Sequence, residues 1–425
     1  MLKLVYHLIC FSRGNFAKVI PCYLFALFFI CKSHADLAQE TIYLTWKQAP
    51  STSMTIQWIS DSNNTESVIA YHPIHASESV LKTTGTKFPF PYASQYLIHC
   101  VELSDLLPDT EYAFSVQPFS QTYRFITAPL RHEKELHFVV GGDMYHDDIS
   151  FVIETCKIAA QTNPLFALVG GDIAYAVKSQ LNAPQKIDRW IEWIKTWHAN
   201  MVTPEGRLIP VIAAIGNHDL IGQFGQTPQQ ATIFSALFPM PGPQIYNSLD
   251  FNDYLTLFIL DSGHANPITG SQAQWLEKSL EKRTNTTHRF AIYHVPAYPS
   301  VRHKDNPYSV AIRKTWVPLF EKWRLHAAFE NHDHAYKRTH PLIQGKIHSQ
   351  GIIYLGDGAW GVETPRTQRT PHSYIAKFSP TRHFIAITLT PNSQYFRSIS
   401  DKGKVLDEYL QVFTKEDFEP KEPAV

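Results

Sequence analysis

The sequence predicts an all-β N-terminal sandwich followed by an α/β domain of mixed sheets flanked by helices. Three observations carry this. Between Thr41 and Thr127, short runs of period-two alternation are separated by turn residues, with no helical stretch between them. Beyond a charged stretch, Pro129 to Glu135, the rhythm changes to apolar runs alternating with amphipathic helical ones. The composition, 44% hydrophobic and 18% charged over 425 residues, suits a folded chain and excludes a disordered one. With 38 basic and 38 acidic residues there is no basic excess, which argues against a nucleic-acid partner.

The first 35 residues read as a signal peptide. Lys3, Arg13 and Lys18 precede the apolar run Val19 to Cys31, which ends at Ser33-His34-Ala35. Thirteen apolar residues are short for a membrane span, so stable membrane insertion is not expected. The expectation is a secreted or extracytoplasmic protein, periplasmic in a Gram-negative bacterium. Loss of the segment leaves 34 basic against 38 acidic residues, and two cysteines, Cys100 and Cys156, read as buried thiols. Asn63 and Asn285 begin Asn-x-Thr sequons.

Over residues 40–128 the strand-like runs are Thr41 to Lys47, Ser53 to Ser60, Tyr96 to Leu103, Glu111 to Gln117 and Thr122 to Thr127. In the second run Met54, Ile56 and Trp58 alternate with Thr55 and Gln57. Leu106 to Tyr112 resembles the tyrosine corner of a fibronectin type III-like sandwich. Residues 136–412 form the α/β domain, with helices expected at Ser150 to Gln161, Asp188 to His198, Ser271 to Lys282 and Val310 to Trp323. Within 383–412, two strand-like runs bracket the turn Asp401-Lys402-Gly403-Lys404, and 413–425 is expected to fray.

The chemistry lies at strand ends. Five apolar runs of the α/β domain lead into metal-ligand residue types: His137 to Gly142 into Asp143, and Leu165 to Gly171 into Asp172, with Tyr175 three further on. Ile209 to Gly216 leads into Asn217-His218-Asp219, Arg289 to Tyr293 into His294, and Leu325 to Glu330 into Asn331-His332-Asp333-His334. In open α/β sheets, sites form beyond the carboxyl ends of strands, so these groups converge in one crevice. Taken singly, each signal is weak, because Gly-Gly-Asp after a strand more often caps a helix. Their joint occurrence decides for a metal site. Carboxylates, an amide and imidazoles suit iron, manganese or zinc, and two cations ~3.5–4 Å apart need a shared carboxylate.

The order G-D…G-D-x-x-Y…G-N-H-D…H…N-H-x-H resembles the calcineurin-like metallophosphoesterases, specifically the purple acid phosphatases, over nearly all of the chain after the signal peptide. The resemblance implies two metal ions, Fe(3+) in the first site and iron, zinc or manganese in the second. Asp143, Tyr175 and His334 would join Asp172 around the first. Asp172 would bridge to the second, which Asn217, His294 and His332 also bind. His218 would lie just outside the ligands as a catalytic group. His303, nine residues beyond His294, has the spacing of a phosphate-contacting histidine. The implied activity is that of a hydrolase acting on phosphoric esters: small monoesters cleaved by in-line attack of a metal-held hydroxide. A phosphodiesterase or nucleotide hydrolase with the same centre is the nearest alternative, and a non-catalytic surface-binding protein the more distant one.

The sequence departs from the family pattern at three positions. Tyr145 replaces the second glycine of G-D-x-G and is expected to project near the pocket mouth. Asn331 replaces the glycine of G-H-x-H, and Ala291 a valine. Lys337 and Arg338 read as a strand-end cap, and Asp357, in Tyr354 to Gly361, as structural rather than a ligand.

Overall fold

The computed structural model describes residues 36–63, 66–177, 186–242, 244–368 and 371–413. The signal peptide expected over 1–35, and residues 414–425 of the expected tail, lie outside them. No helix among the described residues is long and apolar enough to cross a membrane.

After a short helix α1 (Asp36–Glu40) come eight strands: β1 (Tyr43–Thr45), β2 (Met54–Asp61), β3 (Val68–Pro73), β4 (Leu81–Thr84), β5 (Thr86–Phe90), β6 (Ala93–Leu103), β7 (Glu111–Val116) and β8 (Tyr123–Ile126). They form two four-stranded sheets, β1-β2-β6-β5 and β4-β3-β7-β8. Ile56, Trp58 and Val101 of one pack against Ile69, Phe114 and Phe125 of the other. Leu107 N–H donates to Tyr112 Oη at 2.8 Å, closing the anticipated tyrosine corner. Strands β3, β4 and β5 are not among the expected runs. Much of β4 and β5 is exposed and carries lysine, threonine and proline, as edge strands do, so no apolar alternation marks them.

Both faces of β2 are buried. Thr55 and Gln57 are buried as fully as Ile56 and Trp58. Their face is covered by the following domain: Gln57 Nε2 donates to Ala236 O at 3.0 Å, and Tyr43 Oη to Leu237 O at 2.8 Å. Trp46 meets Phe166 and Phe251 edge-on.

The α/β domain contains β9 (Leu136–Gly141), α2 (Ile149–Ala160), β10 (Ala167–Val169), α3 (Ile187–Asn200), β11 (Val211–Ala213), α4 (Thr232–Leu237), β12 (Asn247–Phe251), β13 (Leu255–Ile259), α5 (Ser271–Glu281), β14 (His288–Ile292), α6 (Pro307–Lys322) and β15 (Ala327–Glu330). Then follow β16 (Tyr336–Thr339), the hairpin β17 (Leu342–Ile343) and β18 (Lys346–Ile347), β19 (Ile353–Gly356), β20 (Ile375–Ser379), β21 (His383–Thr390), β22 (Ser393–Ser400) and β23 (Val405–Val412). One sheet runs β11-β10-β9-β21-β22-β23, the other β12-β13-β14-β15-β19-β16-β20. The segment from His383 therefore supplies three strands, not two; the extra turn at Pro391-Asn392 is too short to break the apolar pattern.

The two sheets pack face to face through Phe138, Leu168, Phe290, Phe329, Ile385 and Phe396. Helices α2 and α3 cover one outer face with Cys156, Trp190, Trp193 and Trp197. Helices α5 and α6 cover the other with Leu276, Ile312, Trp316 and Phe320. Strands β9, β10 and β11 are mutually parallel, as are β13, β14, β15 and β19. The loops leaving β9, β10, β11, β14 and β15 consequently meet at one edge of the layered sheets.

Candidate metal centre

All seven residues that the resemblance implies as metal ligands come together, and all are buried except His332, which is half-buried. Tyr175 Oη donates to Asp143 Oδ1 at 2.9 Å and lies 3.0 Å from His334 Nε2. His334 Nε2 is in turn 2.9 Å from Asp143 Oδ1. On the other side, His294 Nε2 lies 3.1 Å from Asn217 Oδ1, 3.0 Å from His332 Nδ1 and 3.2 Å from Asp172 Oδ2. Asp143 joins the two groups, since its Oδ2 accepts from His332 N–H at 2.8 Å.

The backbone here adopts a conformation that side-chain-bearing residues rarely take. Asp143, Asp172, Tyr175, His332 and His334 have φ of 53°, 52°, 46°, 76° and 60°. Left-handed residues other than glycine cost energy, and clusters of them mark places where the surrounding fold holds groups for a purpose. Packing enforces these turns. A Cβ on Gly358 would lie 1.8 Å from Asp143 Oδ2, so that loop can close over the carboxylate only with glycine there.

The proton count is the strongest indication of a cation. His294 Nδ1 faces Gly170 O at 2.9 Å and donates to it, so Nε2 carries at most one hydrogen. Two oxygen acceptors, Asp172 Oδ2 and Asn217 Oδ1, and a second imidazole nitrogen, His332 Nδ1, surround that nitrogen. A positive ion among Asp172, His294 and His332, whose ligand atoms lie within 4.8 Å of one another, would satisfy all of them at once. The donor set therefore fits a metal. Burial opposes the charge on His294, but the carboxylates of Asp172 and Asp143 push its imidazole up to about 9. Burial, Arg302 and His294 hold His332 well below the usual histidine range. Burial and the same two carboxylates hold the Tyr175 phenol well above its usual range.

Asp219 escaped notice as a functional residue, although it stands in G-N-H-D. Its carboxylate accepts from Gly216, Asp172 and Ile173 N–H at 2.8–2.9 Å and so ties the β10 and β11 loops together. Burial and Asp172 push it up to about 7. His218 N–H donates to Asp172 Oδ1 at 2.7 Å, its Nδ1 meets Val177 O, and its ring stacks on Tyr175 at 4.6 Å. His146, also overlooked, meets Tyr175 and His334 edge-on at 4.9 and 5.2 Å. Its only sequence signal is its place three residues after Asp143.

Four expectations need comment. Tyr145 does not project at the mouth: it is buried, its hydroxyl donates to Glu192 on α3, and the Arg189 guanidinium lies 3.6 Å above its ring. His303 is not part of the cluster; its side chain is 80% exposed, with Asp305 as its neighbour at 3.8 Å. Lys337 is not a solvated cap but fully buried, between Glu330 and Asp357. Asp357 is structural, as read, held 2.9 Å from Lys337 and accepting from Ser300 N–H at 3.1 Å.

A β-sandwich packed on a two-sheet α/β domain, with this cluster at the strand ends, defines a metallophosphoesterase-type protein. The chain belongs to the calcineurin-like phosphoesterases, whose family model matches residues 118–336, and residues 39–127 match the purple acid phosphatase N-terminal domain. An uncharacterized protein of Mycobacterium tuberculosis is 23% identical over 71% of this chain, which spans 62% of that relative's length. Purple acid phosphatase 5 of Arabidopsis thaliana is 23% identical, with 71% of each chain covered. Among solved structures, the purple acid phosphatase PPD1 from yellow lupin (Lupinus luteus) seeds shares the fold, with a TM-score of 0.73 over 89% of this chain and 75% of that one, at 16% identity.

Proposed function

We propose that this chain is an exported phosphohydrolase that cleaves phosphate monoesters at a two-cation centre. The observation that carries the reading is the shortage of protons in a buried cluster drawn from five strand ends. Asp143, Tyr175 and His334 would hold one ion, Asn217, His294 and His332 the other, and Asp172 both. Bound there, the cations supply Lewis-acid neutralisation of the phosphoryl oxygens and lower the pKa of water.

The chain's own groups do the rest. The His218 N–H occupies one side of Asp172, and Asp219 fixes the loops that carry Asp172 and Asn217. Donation from His218 Nδ1 to Val177 O leaves Nε2 to stabilise charge on the ester and protonate the leaving oxygen. In the reaction a water oxygen bonds to phosphorus in line as the ester P–O bond breaks. The leaving oxygen takes the electron pair and a proton from His218 Nε2, and the proton released by the attacking water restores the one that His218 gave up. His303, on the solvent side, would contact only the outer part of a bound ester. A phenol ligand at Tyr175 favours ferric iron in the first position, and export rests on the N-terminal apolar run. Purified protein should contain about two transition-metal ions per chain and release phosphate from an aryl phosphate. Protein that binds no metal, or that releases no phosphate when loaded, would refute the reading.

A further inference from the structure

Two guanidinium groups stand at the rim of the centre, and the chemistry described so far uses neither. Arg302, whose side chain is 32% exposed, donates from Nη1 to His332 O and lies 3.1 Å from Asp333 Oδ1. Arg366 comes from the opposite loop: its N–H donates to His334 O at 2.8 Å, and its Nη1 reaches the same His332 carbonyl at 3.4 Å. The two side chains therefore converge on the backbone between the candidate ligands His332 and His334. Asp333, fully buried, balances Arg302 and also takes the Val301 and Arg302 N–H groups. Arg366 forms no salt bridge among the described residues, and its one side-chain hydrogen bond is long. Its charge is felt at Asp143, Tyr175 and His334.

Two bound cations already offset the charge of a transferred phosphoryl group. The Arg366 guanidinium, which no carboxylate pairs among the described residues, adds a positive charge outside the ligands beyond what a simple monoester dianion needs, and Arg302, held by Asp333, presents a second fork beside it. A guanidinium fork matches the oxygens of a phosphate. We propose that Arg302 and Arg366 receive a second anionic group of the substrate, next to the phosphoryl group that is transferred. The preferred substrate class is then one with two adjacent phosphates, of which inorganic pyrophosphate is the smallest. This rests on the hydrolase reading above and adds the residues that select the substrate.

The test uses the metal-loaded full chain and two substrates, pyrophosphate and an aryl phosphate, with Arg366→Gln and Arg366→Lys. Arg366→Gln should lower kcat/KM for pyrophosphate roughly 10- to 100-fold more than for the aryl ester, the range for a lost charge-assisted contact. Arg366→Lys, which keeps the charge but not the fork, should fall between. Calorimetry supplies a second readout: methylenebisphosphonate should bind the wild type more tightly than inorganic phosphate does, and Arg366→Gln should close that gap. Equal losses on both substrates, or an unchanged gap, would overturn the proposal and assign the arginine to the transferred group or to structure alone. Turnover of neither substrate would overturn the hydrolase reading instead, while the calorimetry would still decide the role of the arginines.

Discussion

Two buried ionic clusters lie within a few residues of each other in this fold, and they are built on opposite principles. Around Lys337, the ammonium group donates to Glu330 Oε2 and Tyr298 O and lies 2.9 Å from Asp357 Oδ1. Burial works against its charge, yet the two carboxylates hold the Lys337 pKa above the usual range. Tyr293 Oη donates to Glu330 at 2.7 Å, and Ala297 N–H adds a second bond there. That cluster pairs its cation with carboxylates of its own. Around His294, one hydrogen at most faces two oxygen acceptors and the His332 Nδ1, with a second carboxylate, Asp143, close by. Both clusters are largely buried and charged, so burial alone does not separate structure from function. The supply of protons does: a balanced cluster holds loops together, and a deficient one awaits a cation.

That contrast predicts different responses to mutation. The largest effect should come from Asp172→Ala, which removes the carboxylate proposed to serve both ions. Phosphate release should drop by at least about 10³-fold with the circular dichroism of the fold retained. Wild-type turnover would break the two-cation picture. Next, Lys337→Met strands two buried carboxylates and should cost about 3–5 kcal/mol in a denaturant titration; a loss below about 1 kcal/mol would mean the Lys337 cluster is not the internally balanced one.

The third test exchanges the perturbation for a ligand. Adding a transition-metal ion to stripped protein at about 100 times its Kd should stabilise the fold by about 2.7 kcal/mol, seen as a higher Tm. Lys337→Met should keep that increment and Asp172→Ala should lose it. The smallest effect should be spectroscopic. Zinc, with a filled d shell, is colorless here, whereas a ferric phenolate absorbs visible light. Iron-loaded protein should be pink to violet, and Tyr175→Phe should bleach it while keeping most of the metal. A variant that stays colored would remove Tyr175 from the ligand set. Tyr145 no longer confuses this experiment, since Glu192 holds its hydroxyl.

The centre was legible because each of its parts is local. An apolar run, a glycine and an Asp or His at the run's end are visible without knowing what packs where. The residues that were misread depend on partners distant in sequence. The direction of Tyr145 is set by Arg189 and Glu192 on α3, more than forty residues away. The burial of Lys337 follows from Glu330 and Asp357 on neighbouring strands, whereas a Lys-Arg pair after a strand ordinarily points to water. The burial of Thr55 and Gln57 is likewise not in the pattern, because period two reports two unlike faces, not which of them meets water. His303 has the right spacing in the chain, but its loop carries it outward.

Asn331, at a position where the family pattern has glycine, constrains how this lineage can change. Its amide donates to Tyr293 O at 3.0 Å and fills the gap between two other strand ends. A Cβ on Gly142 would lie 2.3 Å from its oxygen, and one on Gly170 1.8 Å from its nitrogen. The three positions thus form a lock whose parts can be replaced only in a fixed order. While asparagine is present, neither glycine can gain a side chain. If Asn331 shrinks first, the Tyr293 carbonyl loses its donor and a void opens behind the centre. Evolution from this sequence is therefore channelled towards the rim, where Arg302, Arg366 and His303 can vary without disturbing the lock.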